Sequence, residues 1–466
     1  MRYSGNSRLK TCFISMVLLC FLAACSQDVP EAAEDDVWHP LCGLNESHSQ
    51  DWAQITKNGI IGVSYFQKFE GSPDEGTLTY KTIRPDGSET VETVATGTRL
   101  EISVLLFDGS SRPHIFVANS TATDQTIVHY YKNNNEWQSE TALHFYNEGG
   151  IFIYELSAAP GPDGSFHLLI LKTCARIDSS SDILSWDYLD AHFDSHLYHA
   201  TNASGSWLKE LIHRYDMIYT YDMYIKILSR QDMKVDDAGA VHVVFGEQIN
   251  SNDYENSPSR LCYATNKTGS WVIETASNYA SGSRDDAGWF PSLCLDKAGT
   301  PHVSCMYVQR CSTGSAVYAQ LLFLKRIGME NWRSETIAEY DDGYYGSDGR
   351  NFTGALSHLV FDDQDAPHIA FSDVASFHEE INGSVTNVMI TGNVRHAVRQ
   401  NGSWSIATKY HQPAPVGFFN AVEMHGMCLL ISAMSDTIHV IGQELTITAM
   451  NTYTCQLVHL TGNASN

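Results

Sequence analysis

The chain has 466 residues, of which 43% are hydrophobic and 18% charged, a balance that excludes a disordered protein. Against 54 Asp and Glu stand 29 Lys and Arg, a formal charge of −25, which excludes a generic binder of nucleic acid or anionic lipid. The 23 Tyr, 19 Phe and 9 Trp favour strands over helices.

The chain begins with Arg2, Arg8 and Lys10, followed by an apolar run over residues 11–22 (TCFISMVLLCFL). That run is too short for a bilayer span, which takes about 20 residues, and has the length of a signal-peptide core. It ends in Leu22-Ala23-Ala24-Cys25, which resembles the bacterial lipobox. In that family the cysteine becomes the first residue and carries diacylglycerol and palmitate-type acyl chains. The resemblance implies a lipoprotein signal peptide over 1–24 and lipidation of Cys25. It also implies a lipid anchor in the cell envelope, in the outer membrane because Ser26 rather than Asp follows the cysteine. Residues 25–35 are acidic, contain Pro30 and read as a solvated tether.

One pattern fills the remaining residues, 36–466. An apolar strand ends in Asp and a short Gly turn, then Pro-His or a relative opens an alternating strand. A variable loop, a third strand, a turn ending Gly-Ser-Trp and a fourth strand follow. The anchor positions are Gly62, His114, His167, His242, His302, His368 and His439, spaced 52 to 75 residues apart. Periods of that size with period-two alternation predict an all-β, seven-bladed propeller of four-stranded antiparallel blades. The T-N-x-x-G-S-W turns at 201–207 and 265–271 resemble the Asp-box of sialidase-like propellers, departing from it by one residue between Gly and Trp and by lacking its regular Asp. In those propellers the motif is structural.

The chain ends are complementary. Residues 457–466 match a third strand and its turn, and then the sequence stops; residues 36–42 (DVWHPLC) offer a spare fourth strand. The expectation is a ring closed by that N-terminal strand, which removes two exposed sheet edges. Pro40 is compatible with an outer strand. Closure also brings Cys42 toward Cys455, a candidate disulfide in an exported chain; Cys305 and Cys311 are the next candidate pair. The repeated histidines point to seven different sectors, so they read as turn-tying residues rather than metal ligands, and the repeated tryptophans as inter-blade packing.

Antiparallel order puts the short, repetitive turns on one face. The long, dissimilar segments 172–196, 212–230, 277–290, 339–355, 373–393 and 408–424 lie on the other, where function is expected. Asp236-Asp237 and Asp362-Asp363 belong to the short turns. The candidate ligand-binding residues are Arg214, Tyr219, Tyr221, Arg284, Trp289, Tyr344, Tyr345 and Arg350: aromatic rings suit sugar faces, and Arg suits carboxylate or phosphate. Asp285, Asp286, Asp341 and Asp342 are the candidate acids and bases. Asp341, Asp342 and Asp348 supply oxygens of the kind calcium takes, without the D-x-D-x-D-G order; no other cofactor and no metal site is expected. The reading is a monomeric envelope protein that binds a glycan or an envelope protein and no nucleic acid. The alternatives are a polysaccharide-acting glycosidase or lyase and a docking platform.

Overall fold

The computed structural model describes residues 39–44, 52–68, 75–98, 100–120, 124–146, 151–176, 191–219, 231–248, 259–277, 286–310, 317–340, 351–381, 384–411, 421–431, 437–449 and 452–463. The chain divides into a segment Met1–Asp36 and a body Val37–Asn466. The signal peptide, Cys25 and the tether lie outside the described residues.

The body is a seven-bladed propeller with four strands, A to D, in each blade. Blade 1 holds β2 (Ala53–Ile55), β3 (Ile61–Lys68), β4 (Glu75–Ile83) and β5 (Glu89–Thr98). Blade 2 holds β6 (Leu100–Phe107), β7 (Pro113–Ser120), β8 (Asp124–Asn133) and β9 (Glu136–Tyr146). Blade 3 holds β10 (Ile151–Pro160), β11 (Phe166–Arg176), β12 (Ala191–Thr201) and β13 (Leu208–Tyr219). Blade 4 holds β14 (Asp232–Val235), β15 (Val241–Gln248), β16 (Ser259–Thr265) and β17 (Val272–Ser277). Blade 5 holds β18 (Asp286–Leu295), β19 (Pro301–Arg310), β20 (Val317–Gly328) and β21 (Asn331–Tyr340). Blade 6 holds β22 (Asn351–Phe361), β23 (Pro367–Ile381), β24 (Ser384–Gln400) and β25 (Ser403–His411). Blade 7 holds β26 (Ala421–Ile431), β27 (Thr437–Ala449), β28 (Thr452–Asn463) and, as its outer strand, β1 (His39–Leu44).

The ring therefore closes as expected, with the N-terminal strand completing the last blade. Its described residues are His39–Leu44, and the register shifts between Pro40 and Cys42 at the sheet edge where proline is tolerated. Cys42 lies opposite Leu457 and Cys455 opposite Leu44; their side chains are outside the description. Cys305 is a buried free thiol, and Cys311 lies outside the described residues.

A lateral polar belt joins the inner A strands. Asp232 Oδ2 accepts from Leu293 N of blade 5 at 2.7 Å, Ser292 Oγ from Leu359 N of blade 6 at 3.1 Å, and His358 Nδ1 from Leu429 N of blade 7 at 3.1 Å. In blades 4, 5 and 6 one side chain thus satisfies a backbone donor of the next blade, which accounts for the burial of Asp232, Ser292 and His358.

The anchor histidines tie turns to strands. In blades 4, 5 and 6, His242, His302 and His368 donate Nε2–H to Asp236, Asp296 and Asp362 at 3.1–3.3 Å. The same aspartates also accept backbone N–H groups of their turns. Strand C supplies a partner for the other ring nitrogen: His129, His199, Tyr263, His396 and His459 face His114, His167, His242, His368 and His439. A neutral imidazole has one proton, so each chain needs a direction. In blades 2 and 3 it ends on Glu140 and Glu210 of strand D, which accept from His129 and His199 at 3.0 Å. In blade 6 it runs toward the turn, and His396 Nδ1 is left without a partner where Ala407 replaces the glutamate.

The glutamates without a histidine neighbour turn to the next blade. Glu92 accepts from Lys132 and Trp137, Glu274 from Arg326 and Trp332, and Glu335 from Arg399 and Trp404, at 2.7–3.2 Å. The same tryptophans stand edge-on to Tyr80, Tyr263 and Phe323 of the preceding blade. Inter-blade packing by Trp is thus as expected.

Part of the expected loop pattern is corrected. Most of 373–393 is a hairpin of strands β23 and β24, and 212–219, 286–290, 351–355 and 421–424 are strand residues. Backbone pairing continues past the packed core, where no apolar alternation marks it. At Gly288 (φ 87°) a Cβ would meet Leu261 at 2.8 Å, so only glycine fits this crossing of blade 5 over blade 4.

Two outcomes are expected. Glu274→Ala strands Arg326 and the Trp332 N–H and should cost about 3 kcal/mol in urea denaturation. Burial, then the neighbouring imidazole, lowers His114 and His167 to about 4. Burial, then His368 and Lys409, takes His396 to about 3. The unfolded chain, with ordinary histidines near 6.5, takes up protons first. This contribution to stability is complete above pH 6.5 and is lost as pH falls toward 4. Melting temperature should drop between pH 6.5 and 5, and a flat profile there would contradict the neutral chains.

Candidate functional site

Strands B and D of every blade run toward the loop face, A and C toward the turn face. Near the loop-face end of the contact between blades 3 and 4, charged and aromatic side chains meet. Period two puts His213 and Tyr215 on one face of β13, against the ring of Phe245 on β15 at centroid distances of 5.4 and 6.0 Å. Glu247, two residues on from Phe245, is the hub. Its Oε1 accepts from His213 Nε2 at 3.0 Å. Its Oε2 accepts from Arg260 Nε at 2.8 Å and Nη2 at 2.6 Å, and from Cys262 Sγ at 3.3 Å.

The electrostatics fix the protonation states. Burial acts to raise the Glu247 carboxyl, but hydrogen bonds from His213 and Arg260 outweigh it and hold it at about 2. Burial, with Glu247 adding, pushes the Cys262 thiol up, so it stays a thiol. Tyr215 is 8% exposed, and its hydroxyl has no hydrogen-bond partner among the described residues. Burial, then Cys262, Glu247 and Glu155, raises its pKa well above the usual value, so it is a neutral phenol. Arg260 is one-third exposed, and its Nη1 donates to Thr275 Oγ1 at 3.4 Å. The cluster thus holds a fixed guanidinium and an imidazole around one carboxylate, with a buried phenol behind them.

Blade 6 repeats the theme. Asp373 accepts from Arg395 Nη1 at 3.0 Å and from the Thr353 hydroxyl, and the guanidinium lies over Phe371 at 5.5 Å. Glu247 and Asp373 each stand five residues after the anchor histidine. HVVFGE and HIAFSD carry that spacing in the sequence, but one acidic residue after an apolar strand has no signature by itself.

Arg214 is exposed on β13, between His213 and Tyr215, and pairs in register with His196. Tyr219 ends the same strand opposite Ala191. Trp289 is on strand β18, not in a loop, half-buried against the blade 5–6 core and edge-on to Phe290. Asp286 opens β18 opposite Val308, beside Ser259 of blade 4. Tyr221, Arg284, Asp285, Asp341, Asp342, Tyr344, Tyr345, Asp348 and Arg350 lie outside the described residues, as does the calcium candidate. Among the described residues no group of three or more His, Cys, Asp or Glu is arranged to hold a metal ion. The aspartates of the short turns form those turns, as expected: Asp236 and Asp362 each accept two backbone N–H groups.

The turn face has a cleft of about 270 Å³ between blades 5 and 6, lined by Asp296, His302, Phe323, Lys325, Phe361 and Arg399 among others. It marks the blade in which Phe323 replaces the strand C partner and His302 Nδ1 goes unpaired.

No family model and no curated protein matches the sequence. Among solved structures the chain is similar to the polysaccharide lyase Uly1, at 9% identity over 94% of both chains with a TM-score of 0.45. It is similar to a PL25 ulvan lyase at 9% identity over 89% of this chain and 95% of that one, TM-score 0.46. The GH93 α-L-arabinofuranosidase of Fusarium graminearum matches at 10% identity over 78% and 92%, TM-score 0.41. At such identities no residue role is carried from those proteins onto this chain.

Removing the hub and removing the unpartnered hydroxyl should differ. Glu247→Ala leaves Arg260 and His213 without their acceptor and should cost about 2 kcal/mol. Tyr215→Phe removes a buried hydroxyl that has no partner and should change stability by less than about 1 kcal/mol, in either direction. Urea denaturation of both variants checks this, and equal losses would mean that the phenol is paired.

Proposed function

We propose that this protein is a lipid-anchored envelope propeller that binds a carboxylated or sulfated glycan at the loop-face edge between blades 3 and 4. The observation that carries the reading is the Glu247 hub. It holds Arg260 and His213 in fixed positions at a partly exposed edge, with the buried Tyr215 hydroxyl beneath, whereas Arg214 lies on the opposite face of the strand. A guanidinium fixed through one edge offers its other N–H groups to an anion or sugar hydroxyl without losing side-chain freedom on binding. The lipobox resemblance supports an envelope location.

The test is retention of soluble residues 36–466 on a panel of neutral, carboxylated and sulfated polysaccharides, with reducing-end release scored in the same wells. Retention on acidic members is expected, weakened about tenfold by Arg260→Ala and by Arg260→Lys, which keeps the charge and loses the fork. Undiminished retention in both variants would overturn the site. Release of product would instead favour the polysaccharide-acting reading, and retention by none would move the reading to a protein partner.

A further inference from the structure

We propose that the turn-face cleft between blades 5 and 6 binds a small organic carboxylate, its charge carried on a ring or short hydrocarbon body. The site lies on the opposite face from the blade 3–4 edge and does not depend on the reading given to that edge. Its origin shows in a comparison with the neighbouring contact. Between blades 4 and 5 the polar groups at this level are engaged. Tyr263 donates its hydroxyl to His242 Nδ1. Lys267 Nζ donates to Asp236 Oδ2 at 3.2 Å. Arg326 donates to both oxygens of Glu274, from Nε at 2.8 Å and from Nη2 at 3.1 Å.

Between blades 5 and 6 the same kinds of group are under-used. Phe323 stands in the register position of Tyr263, and His302 Nδ1 is buried without a partner. Lys325 Nζ stands 3.8 Å from Asp296 Oδ2, beyond hydrogen-bond distance, on a side chain that is about half exposed. Arg399 gives one N–H, from Nη2, to Glu335 Oε1 at 3.0 Å, and its other donors have no hydrogen bond among the described residues. The acids of the lining are engaged instead. Asp296 Oδ1 accepts from Ala298 N at 3.0 Å and Thr300 N at 2.8 Å, and its Oδ2 accepts from His302 Nε2 at 3.1 Å. Asp365 Oδ1 accepts from Lys297 N at 3.0 Å, a bond that ties the turn of blade 5 to the turn of blade 6 beside the cleft.

The lining therefore offers unspent cationic donors and largely spent acceptors. A ligand that satisfies it brings acceptor oxygens and negative charge. The rest of the wall is apolar: Phe323, Phe361, Ala366 and Pro367. A bare inorganic anion leaves that wall uncovered, whereas a ring or alkyl body removes it from water. The cleft has about 270 Å³ of room, which at about 30 Å³ for each water-sized group holds about nine non-hydrogen atoms. That is the size of one small ring with its carboxylate, and a longer molecule would project into solvent.

The test is saturation-transfer NMR, observed on the ligand, with the full chain. The probes are benzoate and D-glucuronate, their neutral analogues benzyl alcohol and D-glucose, and inorganic phosphate. Saturable binding of at least one carboxylate and of neither neutral analogue is expected. Lys325→Gln should weaken that binding about tenfold, and Ala366→Phe, which fills the cleft, should abolish it. Melting temperatures check that both variants are folded; should Ala366→Phe fail to fold, Lys325→Gln decides alone. Arg260→Lys, on the other face, should leave the binding unchanged. A loss with Arg260→Lys and none with Lys325→Gln would place the carboxylate at the blade 3–4 edge and overturn the cleft. No saturable binding of either carboxylate overturns it too. Phosphate binding as tightly as the carboxylates would do the same, because the apolar wall would then play no part.

Discussion

The interface between successive blades depends on one position, the residue on strand C that sits beside the anchor of strand B. It is aromatic or histidine in every blade: Tyr80, His129, His199, Tyr263, Phe323, His396 and His459. When that residue is histidine in blades 2 and 3, the glutamate of strand D is drawn inward to it. When it is tyrosine or phenylalanine, the glutamate is free to accept from the tryptophan and the lysine or arginine of the next blade. The two arrangements exclude each other, because one carboxylate cannot serve both. The following blades match the choice: Lys132, Arg326 and Arg399 follow the outward glutamates, whereas Asn202 and Asn266 follow the inward ones and bond the backbone of Phe166 and Val241 instead.

The histidine chains add a constraint on charge. Each stacked pair shares a single hydrogen bond between two ring nitrogens, which requires a lone pair on one side and a proton on the other. A second proton would set N–H against N–H in a buried site. Neutrality is thus part of the geometry, and burial is the leading cause of every depressed histidine pKa in the set.

The two faces divide the work. On the turn face, aspartates, glycines and histidines recur with the period of the blade and satisfy one another. On the loop face, strand lengths diverge, from the three residues of β2 to the seventeen of β24, and the polar residues near the strand ends differ from blade to blade. Irregularity there gives blades 3 and 4 the Glu247 cluster and blade 6 the Asp373–Arg395 pair, with no counterpart required by the scaffold.

Much of this was written in the sequence. The blade count, the four-strand unit, the anchor histidines, the Trp contacts and the closure by an N-terminal strand follow from period, alternation and complementary chain ends, because these are local patterns repeated in one chain. The sequence did not reveal the partner histidines of strand C, although YHA and RHA stand in it at 198–200 and 395–397, because their role depends on cross-strand register. It also placed Trp289 in a loop, and it passed over Glu247 because a single glutamate after HVVFG carries no signal alone. Only the tertiary structure brings residues 213, 215, 247, 260 and 262 together. They come from three strands in two blades, and the contact between blades is set by packing that no local pattern encodes.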